Sequence, residues 1–381
     1  MRKRNWSEVE YDVLVEIAKR VREIDDFIRF GAVCKSWYRA AKKENFDSSS
    51  PQVPLLLMAA DKDDDYRLFY SVTNHRIFAK IYLPQARGCV CLSTEQPGWL
   101  FTVQFTITTG DMMLLHPFSG TQIHLPSYRR LRGIEDGDDQ WKPEYFSIIK
   151  RAVLSANPSL TSDYFLMISH YAPRRLMSFW RPGDLCWTSV HIENPFAFVD
   201  FRYFNGKFYI LSRCCGLWVV DDLEEGHRNN PPPSVRSRLV LRINREILRW
   251  DYLHLVQVSG VLLFVAQDEE RARSTGFYKD YRFQVWELDV MTSEAKEIKM
   301  LGDRAIFLGQ DASMSVESSK YIGVNPNHIY FINSVAVIFR LQGWSGIDMR
   351  TYSLEDGKVQ SSYHSASVNP ISPPTWVIPS F

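Results

Sequence analysis

The feature that most constrains the fold is a long series of short apolar segments, each bounded by turn-forming residues, that begins at Pro54. Such segments, rich in branched and aromatic residues, predict β-strands. The clearest are PLLLMAA (54–60), WLFTVQF (99–105), DMMLLHP (111–117), GKFYILS (206–212), GLWVVD (216–221), YLHLVQVSGVLLFV (252–265), RFQVWELDV (282–290) and HIYFIN (328–333). Many short strands at near-regular spacing are typical of a sandwich, a barrel or a propeller.

The length of this region decides among these architectures. About 320 residues is too long for one ordinary sandwich, but it fits six or seven blades of roughly 45–50 residues each. Three segments also share one pattern, a turn followed by an apolar strand: FNGKFYIL (204–211), VSGVLLFV (258–265) and PNHIYFIN (326–333). The sequence therefore predicts a six- or seven-bladed β-propeller over residues 55–381.

The N-terminal region follows a different period. Val9, Val13, Ile17 and Val21 recur every four residues, which predicts an amphipathic helix after a capping box at residues 7–10. Asp25 or Asp26 would cap a second helix that ends at Gly31, and a third helix would carry Val33, Trp37 and Ala41. The polar, proline-bounded run DSSSPQVP (47–54) is the predicted linker, so residues 1–46 form a small helical module.

Charge and cysteine usage restrict the partners and the compartment. Lys and Arg number 45 against 44 Asp and Glu, so no basic field would attract nucleic acid. We find no apolar run long enough for a membrane span and no signal peptide. The six cysteines lack paired zinc spacing, and Cys89, Cys91, Cys214 and Cys215 are interpreted as small buried hydrophobes in a reducing compartment. We expect an intracellular protein of the nucleus, the cytoplasm or both.

Candidate catalytic and metal-binding residues are sparse. The acidic clusters at residues 61–65 and 136–139 could offer oxygen ligands, but they lack the glycine and distal Glu of a calcium loop and are interpreted as solvated turns. The histidines at 116, 124, 170, 191 and 254 have no metal spacing, and no nucleophile elbow or phosphate-binding loop occurs. The sequence predicts no catalytic, cofactor-binding or metal-binding residue. A propeller enzyme or sugar-binding module would need carboxylates or a metal that converge on one face.

Tryptophans in or beside the strands have two readings. Trp180, Trp187, Trp218, Trp286 and Trp344 could line a recognition face, because aromatic residues anchor interfaces, but their apolar surroundings favour core packing. The segments 181–184 (RPGD) and 302–304 (GDR) are predicted to be tight turns that could add polar contacts on the loop-rich rim.

The N-terminal module resembles an F-box. The family pattern runs from Trp-x-x-Leu-Pro through a Leu/Ile helix to Asp, Arg-Phe, Val-Cys and Ser-Trp. The corresponding residues here are Trp6, Val9, Val13, Leu14, Ile17, Asp26, Arg29, Phe30, Val33, Cys34, Ser36 and Trp37. Where the family has Leu-Pro, this chain has Val9-Glu10, which removes a rigid proline near the helix start.

The β region is similar to that of the plant F-box family whose C-terminal region is named domain of unknown function 295. The similarity rests on HPFSGTQIHLP (116–126), FWRPGDLCWTSV (179–190), YFNGKFYILSRCCGLWVVD (203–221), FQVWELDV (283–290), LGDRAIFLGQDASMSV (301–316), YSLEDGKV (352–359) and PTWVIPSF (374–381). This resemblance implies a plant protein that has no catalytic activity of its own. It implies a substrate receptor of an Skp-cullin-F-box ubiquitin ligase, which binds an Skp-type adaptor and, through it, a cullin.

The resemblance also assigns candidate adaptor-binding residues within the helices: Trp6, Val9, Val13, Leu14, Ile17, Arg29, Phe30, Val33, Cys34 and Trp37. Three short helices cannot bury all of their apolar surface alone, so a partner is physically reasonable. The competing interpretations are a helical cap packed on the β domain, and a binding propeller with a degenerate F-box that acts outside any ligase. No substrate follows from the sequence.

Overall fold

A computed structural model describes residues 6–47, 50, 52–58, 63–104, 110–131, 149–171, 175–192, 198–220, 223, 235–243, 252–271, 279–332, 346–366, 372 and 374–381. Trp344, the acidic cluster at 136–139 and Asp61 lie outside these residues.

Three short helices form the N-terminal module: α1 (Tyr11–Ala18), α2 (Ile24–Ala32) and α3 (Lys35–Ala40). Single 3-10 turns flank them at Trp6–Glu8 and Lys43–Asn45. The predicted capping box is wrong, because residues 6–8 form the 3-10 turn and α1 starts only after Glu10, whose side chain makes no cap hydrogen bond.

The prediction that α2 ends at Gly31 is wrong, because this glycine lies inside the helix. A Cβ atom on Gly31 would lie 2.9 Å from the Cβ of Ala41. The glycine is therefore needed for the close approach of the chain around Ala41 to α2. The predicted cap at Asp25 or Asp26 is also wrong, since Glu23 occupies the N-cap position of α2.

The rest of the described chain consists of strands that pair mostly with their sequence neighbours. They are β1 (Leu55–Leu57), β2 (Tyr66–Ser71), β3 (Arg76–Tyr82), β4 (Cys89–Ser93), β5 (Leu100–Gln104), β6 (Met112–His116), β7 (Thr121–Leu125), β8 (Ile149–Leu154), β9 (Leu166–Tyr171), β10 (Arg175–Trp180), β11 (Thr188–His191), β12 (Phe198–Phe204), β13 (Lys207–Ser212), β14 (Gly216–Val220), β15 (Val235–Arg242), β16 (Tyr252–Val258), β17 (Val261–Arg271), β18 (Lys279–Asp289), β19 (Glu294–Ile298), β20 (Arg304–Leu308), β21 (Ser313–Glu317), β22 (His328–Ile332), β23 (Gly346–Ser353), β24 (Val359–Ala366) and β25 (Thr375–Val377). Within the described residues each strand segment predicted from the sequence contains a strand or part of one, and the segment 252–265 contains β16 and the start of β17.

These strands form the blades of a β-propeller, which confirms the predicted fold class. The sheet orders are β25-β1-β2-β3, β4-β5-β6-β7, β16-β17-β18-β19 and β21-β20-β22-β23-β24. The eight-stranded sheet β12-β13-β14-β15-β11-β10-β9-β8 comprises two blades whose outer strands, β11 and β15, pair in parallel. The described strands thus make six blades, and their innermost strands β25, β4, β8, β12, β16 and β21 surround the centre.

Ring closure joins the two ends of the β region. β25 pairs antiparallel with β1, so that Leu56 lies opposite Trp376. Blade 1 (β25-β1-β2-β3) therefore contains chain from both ends of the propeller, and the ring cannot complete until residues 375–377 are in place.

Apolar clusters fill the spaces between neighbouring blades and form the core. These clusters bury four of the five tryptophans that could have lined a recognition face: Trp180, Trp187, Trp218 and Trp286. The core-packing interpretation is confirmed for these four. The interpretation of Cys214 as buried is wrong. Cys214 is exposed and only Cys215 is buried, because the pair occupies the tight β13–β14 turn in which Cys215 has a φ of 57°.

Candidate functional site

The inner side of the helical module (residues 6–46) is a small apolar core. Leu14 and Phe30, two of the predicted adaptor-binding residues, are buried in it. They pack with Ala18, Ile24, Phe27, Ala40 and Phe46. The structure therefore gives Leu14 and Phe30 a role inside the module rather than on its surface.

Other apolar side chains of the module stay in contact with solvent. Among the predicted residues, Trp6 is 66% exposed, Val33 57% and Val13 48%. Tyr11, Ile28 and Tyr38 are also exposed, although the sequence motif did not single them out. We call Trp6, Tyr11, Val13, Ile28, Val33 and Tyr38 the exposed apolar set. Single exposed apolar residues are ordinary, but six of them on so small a module make it a candidate for a surface that a partner covers.

Of the remaining predicted residues, Arg29 is exposed and pairs with Asp25 and Asp26, and four others are half-buried. Val9, Ile17, Cys34 and Trp37 are half-buried, and the Trp37 ring contacts both Phe30 and Trp6. The indole Nε1 of Trp37 also donates to the carbonyl oxygen of Trp6 at 3.1 Å. These contacts fix the 3-10 turn of Trp6 against α3, so that its exposed ring is held in place.

The helical module packs on the propeller next to blade 1. The Phe27 and Phe46 rings both contact the ring of Phe381, with centroids 5.8 and 5.2 Å apart respectively, and Phe78 of β3 packs on the same cluster. The helical-cap geometry and an exposed apolar set thus coexist. The module packs on the propeller through the Phe27 and Phe46 rings, while the exposed apolar set stays in contact with solvent.

A polar contact reinforces this packing. The Asp25 carboxylate, near the start of α2, accepts hydrogen bonds from Arg29 and from Asn74 in the β2–β3 turn. Its Oδ2 also lies 3.3 Å from Nη2 of Arg76 in β3. Burial raises the pKa of Asp25, and the Arg29 guanidinium acts against that rise.

A second unusual site lies at the centre of the propeller, where five charged side chains are buried. They are Glu95, Arg151, Asp200, Arg202 and Asp311. Sequence reasoning missed all five, because each is a single charged residue among ordinary strand or turn residues. The only available signal was the placement of Arg151, Asp200 and Arg202 within apolar runs, where an unpaired charge is costly.

Glu95 connects its own blade, blade 2 (β4-β5-β6-β7), to three others. It follows β4 and has a left-handed backbone, with φ at 65°, and its carboxylate is buried. Its Oε1 accepts from Nη2 of Arg151 on β8, from Nη2 of Arg202 on β12 at 2.8 Å, and from the amide of Ser313 on β21 at 3.2 Å. The two guanidinium groups and the amide offset the cost of burying this charge.

Asp200 and the two arginines extend the network to the next blade. Asp200 Oδ1 lies 2.8 Å from Nε of Arg151, and its Oδ2 accepts from the amide of Leu255 on β16 at 2.7 Å. Arg202 Nε donates to the carbonyl oxygen of Leu255 at 3.0 Å, and its Nη2 donates to the carbonyl oxygen of Ser313. Burial raises the pKa values of Glu95 and Asp200, and nearby Arg151 acts against both shifts.

Asp311 completes the network on the remaining blades. It lies in the β20–β21 turn, and its Oδ2 accepts at 2.8 Å both from the amide of Ser93 and from Oγ1 of Thr375 on β25. Within the described part of the chain its Oδ1 has no hydrogen-bond partner. The charged residues thus crosslink the inner strands, and their burial among protein partners assigns them to the architecture of the ring.

Among the described residues, the histidines and the acidic residues at 63–65 do not converge into a metal site. His116 and His170 are buried, and burial lowers the pKa of each to about 4. Asp65 instead pairs with Arg87 at a solvent-exposed turn, as a solvated cluster would. Among the described residues, no three His, Cys, Asp or Glu side chains are grouped so that they could hold a metal, and no helix is long and apolar enough to cross a membrane.

Comparison with protein families identifies the β region. Residues 69–359 match the family model described as the KIB1-4 beta-propeller. The more specific name inferred from the sequence, domain of unknown function 295, stays a prediction.

Curated relatives from Arabidopsis thaliana extend over most of the chain. The F-box protein SKIP23 is 23% identical and the alignment covers 93% of this chain and 91% of the relative. The F-box/kelch-repeat protein At1g57790 is 24% identical, with coverage of 86% and 82%, and the F-box protein At2g26160 is 22% identical, with coverage of 88% and 97%.

Solved structures resemble the chain more remotely. A protein of unknown function from Bacteroides caccae aligns with 85% of this chain and 99% of its own, at 10% identity and a TM-score of 0.39. A functionally unknown protein from Desulfotomaculum acetoxidans aligns with 86% and 90%, at 10% identity and a TM-score of 0.37.

Proposed function

Because the chain belongs to the KIB1-4 β-propeller family, and its full-length relatives carry F-box names, we propose that it is a substrate receptor of an Skp-cullin-F-box ubiquitin ligase. The helical module binds a Skp-type adaptor and, through it, a cullin. The propeller holds a protein substrate. The proposed place of action is the nucleus, the cytoplasm or both.

The observation that carries this proposal is the exposed apolar set. The apolar inner side of the helical module is already covered by contacts within its own core and with Phe381 and Phe78 of the propeller. Trp6, Val13 and Val33 are nevertheless about half or more exposed on the other helical surfaces. Burying such side chains against a partner contributes roughly 25 cal/mol for each Å² of apolar surface removed from water.

In this proposal the chain works by proximity and makes no bond itself. Binding a substrate on the propeller and the adaptor on the helices converts the meeting of substrate lysine and ubiquitin-charged enzyme into an effectively intramolecular event. The buried charges at the propeller centre support the rigidity that such a scaffold needs, and no step of the reaction passes through them.

A second candidate function is a binding propeller that acts outside any ligase. Val9 and Glu10 favour it, because the F-box pattern has Leu-Pro at this point. Val9 still packs against the core of the module, so the apolar half of the motif is retained. The proline is the missing half of the motif, and we expect its absence to weaken rather than abolish adaptor binding.

Adaptor binding by the full chain is the decisive experiment. Co-purification with a plant Skp-type adaptor should retain the intact protein, and a Val13→Asp, Val33→Asp double variant should lose most of the binding. Both substitutions place charges where apolar contacts are proposed, and both sites are exposed, so the fold should survive. Circular dichroism checks the fold of each variant.

The matched control is Ile322→Asp, which alters an exposed apolar residue (93% exposed) on the propeller. It should bind the adaptor like the unaltered chain. Failure of the folded, intact chain to bind while another F-box protein binds in parallel would reject the ligase proposal and favour the independent binding propeller.

A further inference from the structure

The segment that closes the propeller continues directly into the core of the helical module. We call residues 375–381 the closing segment. Its first part, β25, pairs with β1 and completes blade 1. Its last residue, Phe381, packs between helical-module residues rather than within a blade. One short stretch of chain therefore takes part in both structural units.

A latch on blade 2 (β4-β5-β6-β7) fixes the middle of the closing segment. The amide of Gly98 donates to the carbonyl oxygen of Ile378 at 2.8 Å, and Ser380 Oγ lies 3.0 Å from Nε2 of His116. His116 Nδ1 accepts from the amide of Ser119, so the proton of the neutral ring is on Nε2, which donates to Ser380. The direction of this hydrogen bond is thus set by the blade.

Gly98 leaves the space that the latch requires. A Cβ atom at this position would lie 2.0 Å from His116 Nε2 and 2.3 Å from Ser380 Oγ, and the φ of Gly98 is +78°. Any larger residue would therefore separate the two latch side chains and strain the turn between β4 and β5.

Phe381 then completes an aromatic triad. Its ring contacts those of Phe27 in α2 and Phe46 after α3, and these two rings contact each other with centroids 4.9 Å apart. Aromatic pairs at these distances contribute about 0.5–1.5 kcal/mol each beyond their buried area. The triad joins α2 and the chain that follows α3 to the closing segment.

Two polar contacts hold the same module from other directions. Asp25 binds Asn74 and Arg76 of blade 1, as described above. The side chain of Gln52, in the stretch that leads to β1, accepts from the amide of Ile24 at 3.0 Å and donates to the carbonyl oxygen of Arg22 at 2.7 Å. Gln52, just before β1, is therefore hydrogen-bonded to the helical module.

We propose that the closing segment, with Asp25 as a second anchor, clamps the helical module to the propeller as one rigid body, and that Phe381 is the positioning residue of this clamp. This inference rests on the proposed function for its biological meaning. A bound adaptor and a bound substrate would then keep a fixed distance and orientation. A substrate lysine would reach the ubiquitin-charged enzyme because of the clamp, and not through a flexible linker.

Pulsed electron spin resonance can measure the clamp directly in the full chain. Spin labels at Glu16→Cys on α1 and Glu294→Cys on β19 report the distance between module and propeller. The background replaces the accessible cysteines Cys34, Cys186 and Cys214 by serine. Buried Cys89, Cys91 and Cys215 remain, since burial raises their thiol pKa values and keeps them unreactive.

We expect a narrow distribution of label-to-label distances in the otherwise unaltered protein. In the Phe381→Ala variant the distribution should broaden clearly. Phe381→Leu, which keeps an apolar side chain, should restore most of the narrow distribution. Asp25→Ala should broaden the distribution independently, which tests the second anchor if Phe381→Ala proves hard to produce.

The matched control is Phe165→Ala, because Phe165 is another half-buried phenylalanine that lies on blade 3 (β8-β9-β10-β11) and away from the module. The proposal would be overturned if the Phe381→Ala and Asp25→Ala variants both kept a distance distribution as narrow as that of the protein without these substitutions. Equal broadening in Phe165→Ala would do the same, since it would show a general loss of packing.

Adaptor binding, measured in parallel with the native cysteines, separates this proposal from the proposed function. Phe381→Ala should still co-purify with the adaptor, because Phe381 lies outside the exposed apolar set. If even the unaltered chain fails to bind the adaptor, the ligase proposal fails, while the distance distributions still decide whether the clamp exists.

Discussion

Asp311 is a buried acid whose charge is only partly compensated. Burial raises the pKa of its carboxyl group to about 6, and the hydrogen bonds from Ser93 and Thr375 limit that rise. An acid with a raised pKa in the folded protein binds its proton more tightly there than in the unfolded chain. Its protonated form therefore stabilises the fold at low pH, and this contribution is lost as the pH rises from about 4 to about 6.

Asp311→Asn should remove this loss, because an amide imitates the protonated carboxyl group at every pH. Relative to the unaltered chain, we expect little change in the free energy of unfolding at pH 4 and a gain of up to about 3 kcal/mol above pH 6.5. Urea unfolding at several pH values measures the difference. A difference that does not change with pH would contradict the prediction.

Arg202→Met should be strongly destabilising, since it leaves Glu95 with one guanidinium fewer in a buried site. Removing one partner of a buried ion pair costs about 3–5 kcal/mol. The control is Arg282→Met, which breaks a pair with Asp268 at the surface, where the Arg282 side chain is 62% exposed. Such surface pairs contribute at most about 1 kcal/mol. Similar losses in both variants, measured by urea unfolding, would argue against the central network as a stabilising element.

At the scale of elements, the start of α1 can be tested through the missing proline. Glu10 has φ −56° and ψ 141°, which a proline adopts without strain. Glu10→Pro should therefore stabilise the protein by about 0.4–1 kcal/mol through the unfolded state. It should also strengthen adaptor binding if the departure from Leu-Pro weakens it.

Glu10→Ala is the control for this variant, because it removes the same carboxylate without adding the ring. Thermal unfolding and adaptor co-purification should both rank Glu10→Pro above Glu10→Ala. The reverse order would mean that the Glu10 amide, which proline lacks, makes a hydrogen bond that the helix start needs.

At the scale of the whole molecule, Trp376 tests whether ring closure supports all six blades together. It is fully buried, its Nε1 donates to the carbonyl oxygen of Leu308 at 3.0 Å, and its ring contacts Phe307. Trp376→Ala should cost about 3–5 kcal/mol, as large-to-small changes in a core do. The loss should affect the whole unfolding transition, because β25 joins the first and last blades.

Denaturant unfolding followed by far-ultraviolet circular dichroism measures this effect. Trp6→Ala is the control, because it also removes a tryptophan but from an exposed position, and it should leave the transition midpoint nearly unchanged. A small shift in Trp376→Ala would mean that the blades stay folded without a closed ring.

Local patterns in the sequence determined the types of element and the order in which they occur. The four-residue period of Val9 to Val21 indicated helix, although Val9 and Val21 themselves lie outside α1. Segments such as GKFYILS and HIYFIN indicated strands, because side-chain periodicity is a property of the local backbone. The length of the strand region then pointed to a propeller. Exact helix starts were not predictable, since packing decides between Ser7 and Glu10 as the cap of α1. The same holds for Asp25, Asp26 and Glu23 as caps of α2.

Tertiary structure alone decided which residues meet. Nothing near Glu95 in the sequence shows that Arg151, Arg202 and Ser313 surround it, because each comes from a different blade. Likewise, the motif that named Leu14 and Val13 together could not separate them, yet one is buried in the module and the other is exposed. Phe381 illustrates the same limit, since its role depends on chain closure that brings it beside Phe27. Periodicity is encoded locally, whereas burial and charge pairing depend on contacts between segments far apart in the chain.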